Sequence, residues 1–298
     1  MSAYARFWGV RGSIPTPAPV GTTEVAVGGN TSCIEIHVSD ETIFVLDAGT
    51  GIRLLGLDIL GRNPKPKNIH LFITHTHWDH IQGFPFFVPA YIPGTKITVY
   101  GTEFVGHNLE AVLEGQQNYE FFPVAMKQMA GNISFNPIST NDDFLVDGIR
   151  VQTAKMHHPH PATVGYRFSG PDWTFVLSTD TEHIHGKTDE EVLRLARNAD
   201  ILVYDSQYTV DEFPSKLNWG HSTWEEGTRI ASLANVKKLI LFHHEPTRPD
   251  EEILEIANQA SRIFPNSLNA IEGLKLTLST RHAPPCQEAG ESPPSNAR

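Results

Sequence analysis

Short apolar runs separated by glycine, asparagine and proline turns dominate the first third of the chain. Residues 4–10, 33–38, 42–47 and 69–74 concentrate β-branched and aromatic side chains and stop at turn formers, so each predicts a strand. Helical periodicity follows at 189–199, 222–234 and 250–264. In the last of these Ile253, Ile256, Ala257, Ala260 and Ile263 share one face, and Pro249 suits the first turn. The runs 201–204 and 238–242 are apolar throughout, as strands buried on both faces are. Residues 149–155, 163–168 and 174–178 predict an antiparallel meander. Strands in two batches, each followed by helices, predict an α/β protein: two sheets face to face with helices outside, a four-layer αββα sandwich.

No linker or repeat interrupts residues 1–281, which read as one domain. Residues 282–298 carry four prolines and no apolar periodicity, and read as a disordered tail. The stretch 102–137, with Tyr119, Phe121, Phe122 and Pro123 together, reads either as a flap over a site or as a surface excursion.

With 40% apolar residues in 298, the chain can bury a sizeable core. Its 34 acidic and 23 basic side chains give a charge of −11, which argues against an extended nucleic-acid surface. A small anionic substrate stays compatible, because a bound metal reverses the sign locally. No apolar run reaches the roughly 18 residues of a membrane span, and the start MSAYARFWGVRG lacks a signal pattern. A cytoplasmic protein without membrane contact is expected. Cys33 and Cys286 are too few for a disulfide framework or a thiolate cage, so any metal needs nitrogen and oxygen donors. Ten of the 15 histidines fall in tight groups at 75/77/80, 157/158/160, 183/185 and 243/244.

The densest group is Thr74-His75-Thr76-His77-Trp78-Asp79-His80, directly after a predicted strand. Imidazoles two apart on an extended segment can point at one metal, and the Asp-His pair opening the next turn can reach a second. Further ligands should come from other strand ends: His157, His158 or His160, then Asp180, then His243 or His244. His183 and His185 read as surface residues.

With these motifs the sequence resembles the metallo-β-lactamase superfamily, in its ribonuclease Z-like phosphodiesterase branch. The likeness covers about residues 3 to 265. Besides the histidine motif it rests on Leu46-Asp47-Ala48-Gly49-Thr50-Gly51, on His158-Pro159 ahead of Gly165-Tyr166-Arg167, on Ser178-Thr179-Asp180-Thr181, and on the run 237–243 ending at His243. It implies that His75, His77, His158 and a bridging Asp180 hold one cation, and that Asp79, His80, His243 and Asp180 hold a second. Asp47 would support the site. Two divalent ions per chain are implied, zinc favoured, with manganese or iron also suited to imidazole and carboxylate donors. Gly220-His221-Ser222-Thr223-Trp224 resembles the segment whose histidine protonates the leaving oxygen, with Asp205 as its carboxylate partner. Ser222-x-x-Glu225 reads as a capping box, which would set His221 just before a helix.

The substrate follows less directly. Many ribonucleases of this branch hold tRNA with a long glycine-rich arm, for which there is no room between Asp180 and His221. Phe7-Trp8-Gly9-Val10-Arg11-Gly12-Ser13-Ile14-Pro15 and Gly28-Gly29-Asn30-Thr31-Ser32-Cys33 resemble bacterial members that are cyclic-nucleotide or cyclic-phosphate phosphodiesterases, and this likeness implies a homodimeric phosphodiesterase for small phosphodiesters, with 3′,5′-cyclic AMP or GMP first. Phosphoribosyl 1,2-cyclic phosphate or RNA 3′ ends are alternatives. Asn30, Thr31 and Ser32 would offer hydrogen bonds to phosphate or sugar. Other classes are a lactone or thioester hydrolase and a metal-binding regulator without activity.

Overall fold

A computed structural model describes residues 2–18, 26–103, 108–159 and 163–278. The expected tail at 282–298 and His160 lie outside the described residues. In chain order the strands are β1 (Tyr4–Gly9), β2 (Cys33–His37), β3 (Thr42–Leu46), β4 (Asn68–Phe72), β5 (Lys96–Thr102), β6 (Asn132–Ile138), β7 (Asp143–Val146), β8 (Ile149–Lys155), β9 (Val164–Ser169), β10 (Thr174–Ser178), β11 (Ile201–Asp205), β12 (Leu239–Phe242), β13 (Ser267–Asn269) and β14 (Lys275–Thr277). The helices are α1 (Gly51–Gly61), α2 (Trp78–Ile81), α3 (Leu109–Gly115), α4 (Glu190–Ala196), α5 (Trp224–Leu233) and α6 (Asp250–Ile263).

Two seven-stranded mixed sheets face each other, in the orders β14-β1-β2-β3-β4-β5-β6 and β13-β12-β11-β10-β9-β8-β7. Their apolar faces meet through aromatic rings. Phe44 and Phe72 of the first sheet lie 5.8 Å and 5.0 Å from Phe168 of the second, and Tyr166 donates its hydroxyl to the Ile73 carbonyl at 2.7 Å. Each fully buried phenylalanine contributes ~1.5–3 kcal/mol by leaving water. Outside the sandwich, α1 packs on the first sheet through Ile52, Leu55 and Ile59. On the second sheet α4, α5 and α6 pack through Leu195, Ile230 and Ala260. This is the expected four-layer arrangement, with the meander β8-β9-β10 antiparallel as read.

Strands β2, β3, β11 and β12 are buried at every position; in β3, β11 and β12 this explains sequences that run almost wholly apolar, whereas β2 alternates and buries Glu35 and His37. The stretch around 102–137 carries regular elements of its own among the described residues. Within it stand α3, a 3-10 turn at Met126–Gln128 and the edge strand β6. Pro137 fits β6 because an edge strand leaves one row of backbone groups unpaired.

Strands β3 and β4 run parallel, as do β10, β11 and β12, while β8 is antiparallel to β9 and so points along β10. Strands β3, β4, β8, β10, β11 and β12 deliver their C-terminal residues to one edge of the sandwich. The exits are strained there. Asp47, Asp180 and His243 take left-handed φ values of 61°, 52° and 61°, unusual for residues with a side chain and typical of functional sites. Among the described residues no helix is long and apolar enough to cross a membrane.

Candidate metal centre

The first carboxylate beyond β3 organises the motif beyond β4. Asp47 is fully buried and accepts hydrogen bonds from the Thr74 amide (2.8 Å), the Thr74 and Ser32 hydroxyls (both 3.0 Å) and His80 Nδ1 (2.8 Å). With Nδ1 donating to Asp47, His80 presents Nε2 inward. The same device recurs. His158 Nδ1 donates to the Gly220 carbonyl at 3.0 Å, and His243 Nδ1 donates to Gln207 Oε1 at 2.9 Å, so both rings turn Nε2 toward the centre.

The inward atoms crowd together. His158 Nε2 lies 3.3 Å from His77 Nδ1, and His80 Nε2 lies 3.3 Å from His243 Nε2. His243 Nε2 stands 3.1 Å from Asp79 Oδ2 and 3.5 Å from Asp180 Oδ2, and His75 Nε2 stands 3.6 Å from Asp180 Oδ1. Donor atoms of four trios each converge within 4.8 Å: His75/His77/His158, His75/His80/Asp180, Asp79/His80/His243 and Asp180/His221/His243. Every metal ligand expected from the sequence is thus in one place.

The donor set fits divalent cations. His75 Nε2 is buried with no hydrogen-bond partner, a costly state for a polar atom unless a cation faces it. Burial pushes His75, His77 and His158 below the ordinary imidazole value, toward the neutral form that ligates. For Asp79 and Asp180 burial opposes ionisation, but neighbouring histidines outweigh it and hold both well below the carboxylate range. Burial also opposes charge on His80 and His243, and carboxylates win again. Asp180, Asp79 and Asp47 hold His80 well up, and Asp180, Asp79 and Asp205 raise His243 to about 9. Without cations, protons on these two rings supply the positive charge the carboxylates require.

His221 joins this centre from the second sheet. Its Nδ1 donates to Asp205 Oδ2 at 2.9 Å, and the ring stacks on His243 with centroids 4.9 Å apart. Asp205 is fully buried and accepts also from the amides of Gln207 (3.2 Å) and Ser222 (3.3 Å). Nδ1 being engaged, Nε2 is the nitrogen left for the cavity of about 460 Å³ that His221 lines with Ser13, His77, Trp78, Asp79 and Asp180.

Several expectations need correction. The cap of α5 is Thr223, which accepts from the Glu226 amide at 3.2 Å, so the Ser222-x-x-Glu225 box is one residue out of register. The Ser222 hydroxyl is engaged instead by His183 Nδ1 (2.8 Å) and the Tyr204 hydroxyl (3.1 Å). His183 is accordingly half-buried and stacked on Phe213 rather than a surface residue, while His185 is exposed. Asn30, Thr31 and Ser32, expected to bind substrate, are not among the residues that line this cavity, and each has a partner in the scaffold. Asn30 binds Glu272 through its amide and side chain, Thr31 Oγ1 accepts from the Thr50 amide, and Ser32 donates to Asp47. His157 is exposed, and His244 is buried with Nε2 donating to the Ala270 carbonyl at 2.9 Å.

Other residues carry site geometry without having been singled out. The Ser13 amide donates to Asp79 Oδ2 at 2.7 Å, and Gln207 holds His243. Glu182 accepts from the amides of Asn218 (3.0 Å) and Gly220 (2.9 Å), fixing the loop that delivers His221. The short spacing from Asp180 to Glu182 was a usable signal; the Ser13 contact is made by backbone and leaves none in the side-chain pattern.

Comparison with known proteins follows the same lines. A Beta-lactamase superfamily domain matches residues 42–244, more than half of the chain. Ribonuclease Z of Bacillus licheniformis is 25% identical over 294 residues, covering 82% of this chain and 92% of that protein. A diphosphatase from the PhnP family superimposes with a TM-score of 0.66 at 21% identity, covering 93% of this chain and 97% of its own. The short form of human tRNase Z gives 0.64 at 16% identity, with 93% and 99% covered. These matches overturn the expectation that partners are restricted to small phosphodiesters with no extended nucleic-acid surface. A ribonuclease aligns with over four fifths of the chain. The −11 charge is a sum over the molecule and does not set the field on any one face, so it could not carry that exclusion.

Proposed function

The chain belongs to the beta-lactamase superfamily, and from that premise we propose that it is a ribonuclease Z-like, metal-dependent phosphodiesterase with two cation sites. His75, His77, His158 and Asp180 would hold one divalent ion, and Asp79, His80, His243 and Asp180 the other. Zinc suits this donor set best, with manganese close behind. The observation that carries the reading is the buried, unpartnered His75 Nε2 facing Asp180 within a ring of imidazoles. When bound, the cations supply Lewis-acid stabilisation of developing phosphoryl charge and a nucleophile at neutral pH.

The chain's own residues supply the rest. Asp47, Gln207 and the Gly220 carbonyl fix the ring orientations of His80, His243 and His158. Asp205 holds His221 at Nδ1 and fixes the ring, which leaves Nε2 as the nitrogen placed to pass a proton to the leaving alkoxide. Two substrate classes share this chemistry. RNA 3′ processing is supported by the ribonuclease Z relatives. A small cyclic phosphodiester such as 3′,5′-cyclic AMP or GMP is supported by the compact stretch between Asp180 and His221, which holds only α4, β11 and a 3-10 turn at Phe213–Ser215.

Turnover of precursor tRNA, cyclic AMP, cyclic GMP, a lactone and a thioester by metal-reconstituted protein, alongside elemental analysis, tests the proposal. Two metals per chain and cleavage of at least one phosphodiester are expected. Lactone or thioester turnover alone, or fewer than two metals after reconstitution, would remove it.

A further inference from the structure

Beside the histidine cavity lies a second cleft of about 490 Å³, within the size range of small-ligand sites. Its walls are apolar and aromatic: Trp78, Phe86, Phe121 and Phe122, with the amides of Gln82 and Gln116 among them. Thr76 and Trp78 line both cavities, so the cleft is continuous with the proposed reaction centre.

The local fold explains how the rings arrive there. Trp78 opens α2 between His77 and Asp79. Successive residues on a helix point in different directions, so burying Asp79 and His80 toward the centre turns the Trp78 ring outward, where it is 77% exposed. Phe86 follows in the next turn of chain at 52% exposure, edge-on to Phe122 with centroids 5.2 Å apart. Phe121, 76% exposed, comes from the loop after α3. Two separate segments thus gather four aromatic rings around one open cleft. Clustered, exposed aromatic surface of this kind marks a binding site more than a core.

Resting on the phosphodiesterase reading above, we propose that this cleft is a base subsite, which receives the heterocyclic base next to the scissile phosphate. A flat base stacks on aromatic faces whatever its sequence identity, and amide groups at the wall can meet its polar edge. Gln116 Nε2 already donates to the Ile81 carbonyl (3.2 Å) and Gln82 Nε2 to Thr31 Oγ1 (3.4 Å), which holds both amides in place. The same chemistry serves a cyclic nucleotide and the last bases of an RNA strand. The occupant is the base in either case.

The test compares kcat/KM for a nucleoside 5′-(p-nitrophenyl phosphate) with that for base-free methyl p-nitrophenyl phosphate. Loss of one stacking ring in Phe121→Ala or Trp78→Ala should lower this ratio roughly 5- to 150-fold, mainly through KM. Trp78→Phe should restore most of it, and Leu145→Ala, an exposed apolar side chain on β7, should leave it unchanged. Parallel KM measurements on 3′,5′-cyclic AMP and on a short RNA strand show which source uses the cleft: the substrate whose KM rises in Phe121→Ala is the occupant. A rise for neither overturns the proposal. A second readout does not need turnover. AMP titrated into the protein should quench tryptophan fluorescence, and Trp78→Phe should remove that response. Quenching without any phosphodiester turnover would sink the function and leave the subsite standing. Turnover with an unchanged ratio and no Trp78-dependent quenching would sink the subsite alone.

Discussion

Asp205 decides what His221 can do, because a ring held at Nδ1 by a buried carboxylate keeps one direction and one nitrogen free. On the phosphodiesterase reading, His221→Ala should keep both metals while lowering turnover roughly 10²–10⁴-fold, the scale of general-acid assistance. The deficit should shrink for a nitrophenolate leaving group, which needs little proton donation, and Asp205→Asn should show a milder form. Equal losses on good and poor leaving groups would recast His221 as a positioning residue. A second buried carboxylate, Glu35, is not among the donors of this centre and bears on stability instead. Burial opposes ionisation of Glu35, yet His37 at 3.7 Å, the Arg62 guanidinium at 2.6 Å and the Trp8 indole at 3.1 Å outweigh it and hold the carboxyl at about 2 rather than 4.5. A folded pKa below the unfolded one means that the unfolded chain takes up the proton first. The contribution is therefore complete above pH 4.5 and drains away between 4.5 and 2. Between pH 5 and pH 3, wild type should lose about 2 kcal/mol more than Glu35→Gln in urea titrations. Parallel pH profiles would mean that Glu35 is not held in its charged form.

At the scale of single elements, the ends matter more than the middles. Thr223 satisfies an orphan amide at the start of α5, and Thr223→Ala should cost ~1 kcal/mol in denaturant titration. A cost near zero would return the cap to Ser222. That register error shows where sequence reading stops: two adjacent hydroxyl residues, Ser222 and Thr223, each have a glutamate three positions on, Glu225 and Glu226, and only the packing of Ser222 against His183 and Tyr204 selects between them. The buried strands were legible because continuous apolar runs such as 201–204 have no other stable placement. Strand β6 was not, since Asn132–Ile138 carries a proline and several polar residues and holds its place by parallel pairing with β5. The histidine motif stood out because dense donors directly after an apolar strand have few structural uses. Asn30, Thr31 and Ser32 are harder to read for the converse reason: polar side chains in a turn take whichever partner the tertiary fold offers, and here those partners include Glu272, Thr50 and Asp47.

Across the whole molecule, the candidate ligands divide between the sheets. His75, His77, Asp79 and His80 follow β4 of the first, and His158, Asp180 and His243 follow β8, β10 and β12 of the second. Cations held by this set tie the two halves of the sandwich together, so binding is linked to folding. Chelation should lower the melting temperature, and zinc at 100-fold over its dissociation constant should restore about 2.7 kcal/mol. Linkage to pH has a definite sign. Carboxylate neighbours keep His80 and His243 protonated in the cation-free protein, His243 up to about 9, and each ring must shed its proton to ligate. Affinity for the ion between Asp79, His80 and His243 should therefore fall as pH drops below that range, by about tenfold per pH unit for each proton displaced. Calorimetric titration of zinc at pH 7, repeated in buffers of different ionisation enthalpy, counts those protons. Release of one to two protons is expected across the two binding steps, concentrated in the step that His80→Ala removes. Zinc binding with no proton release at pH 7 would mean that these rings are already neutral, and that the carboxylates around them are balanced by something other than the protons assigned here.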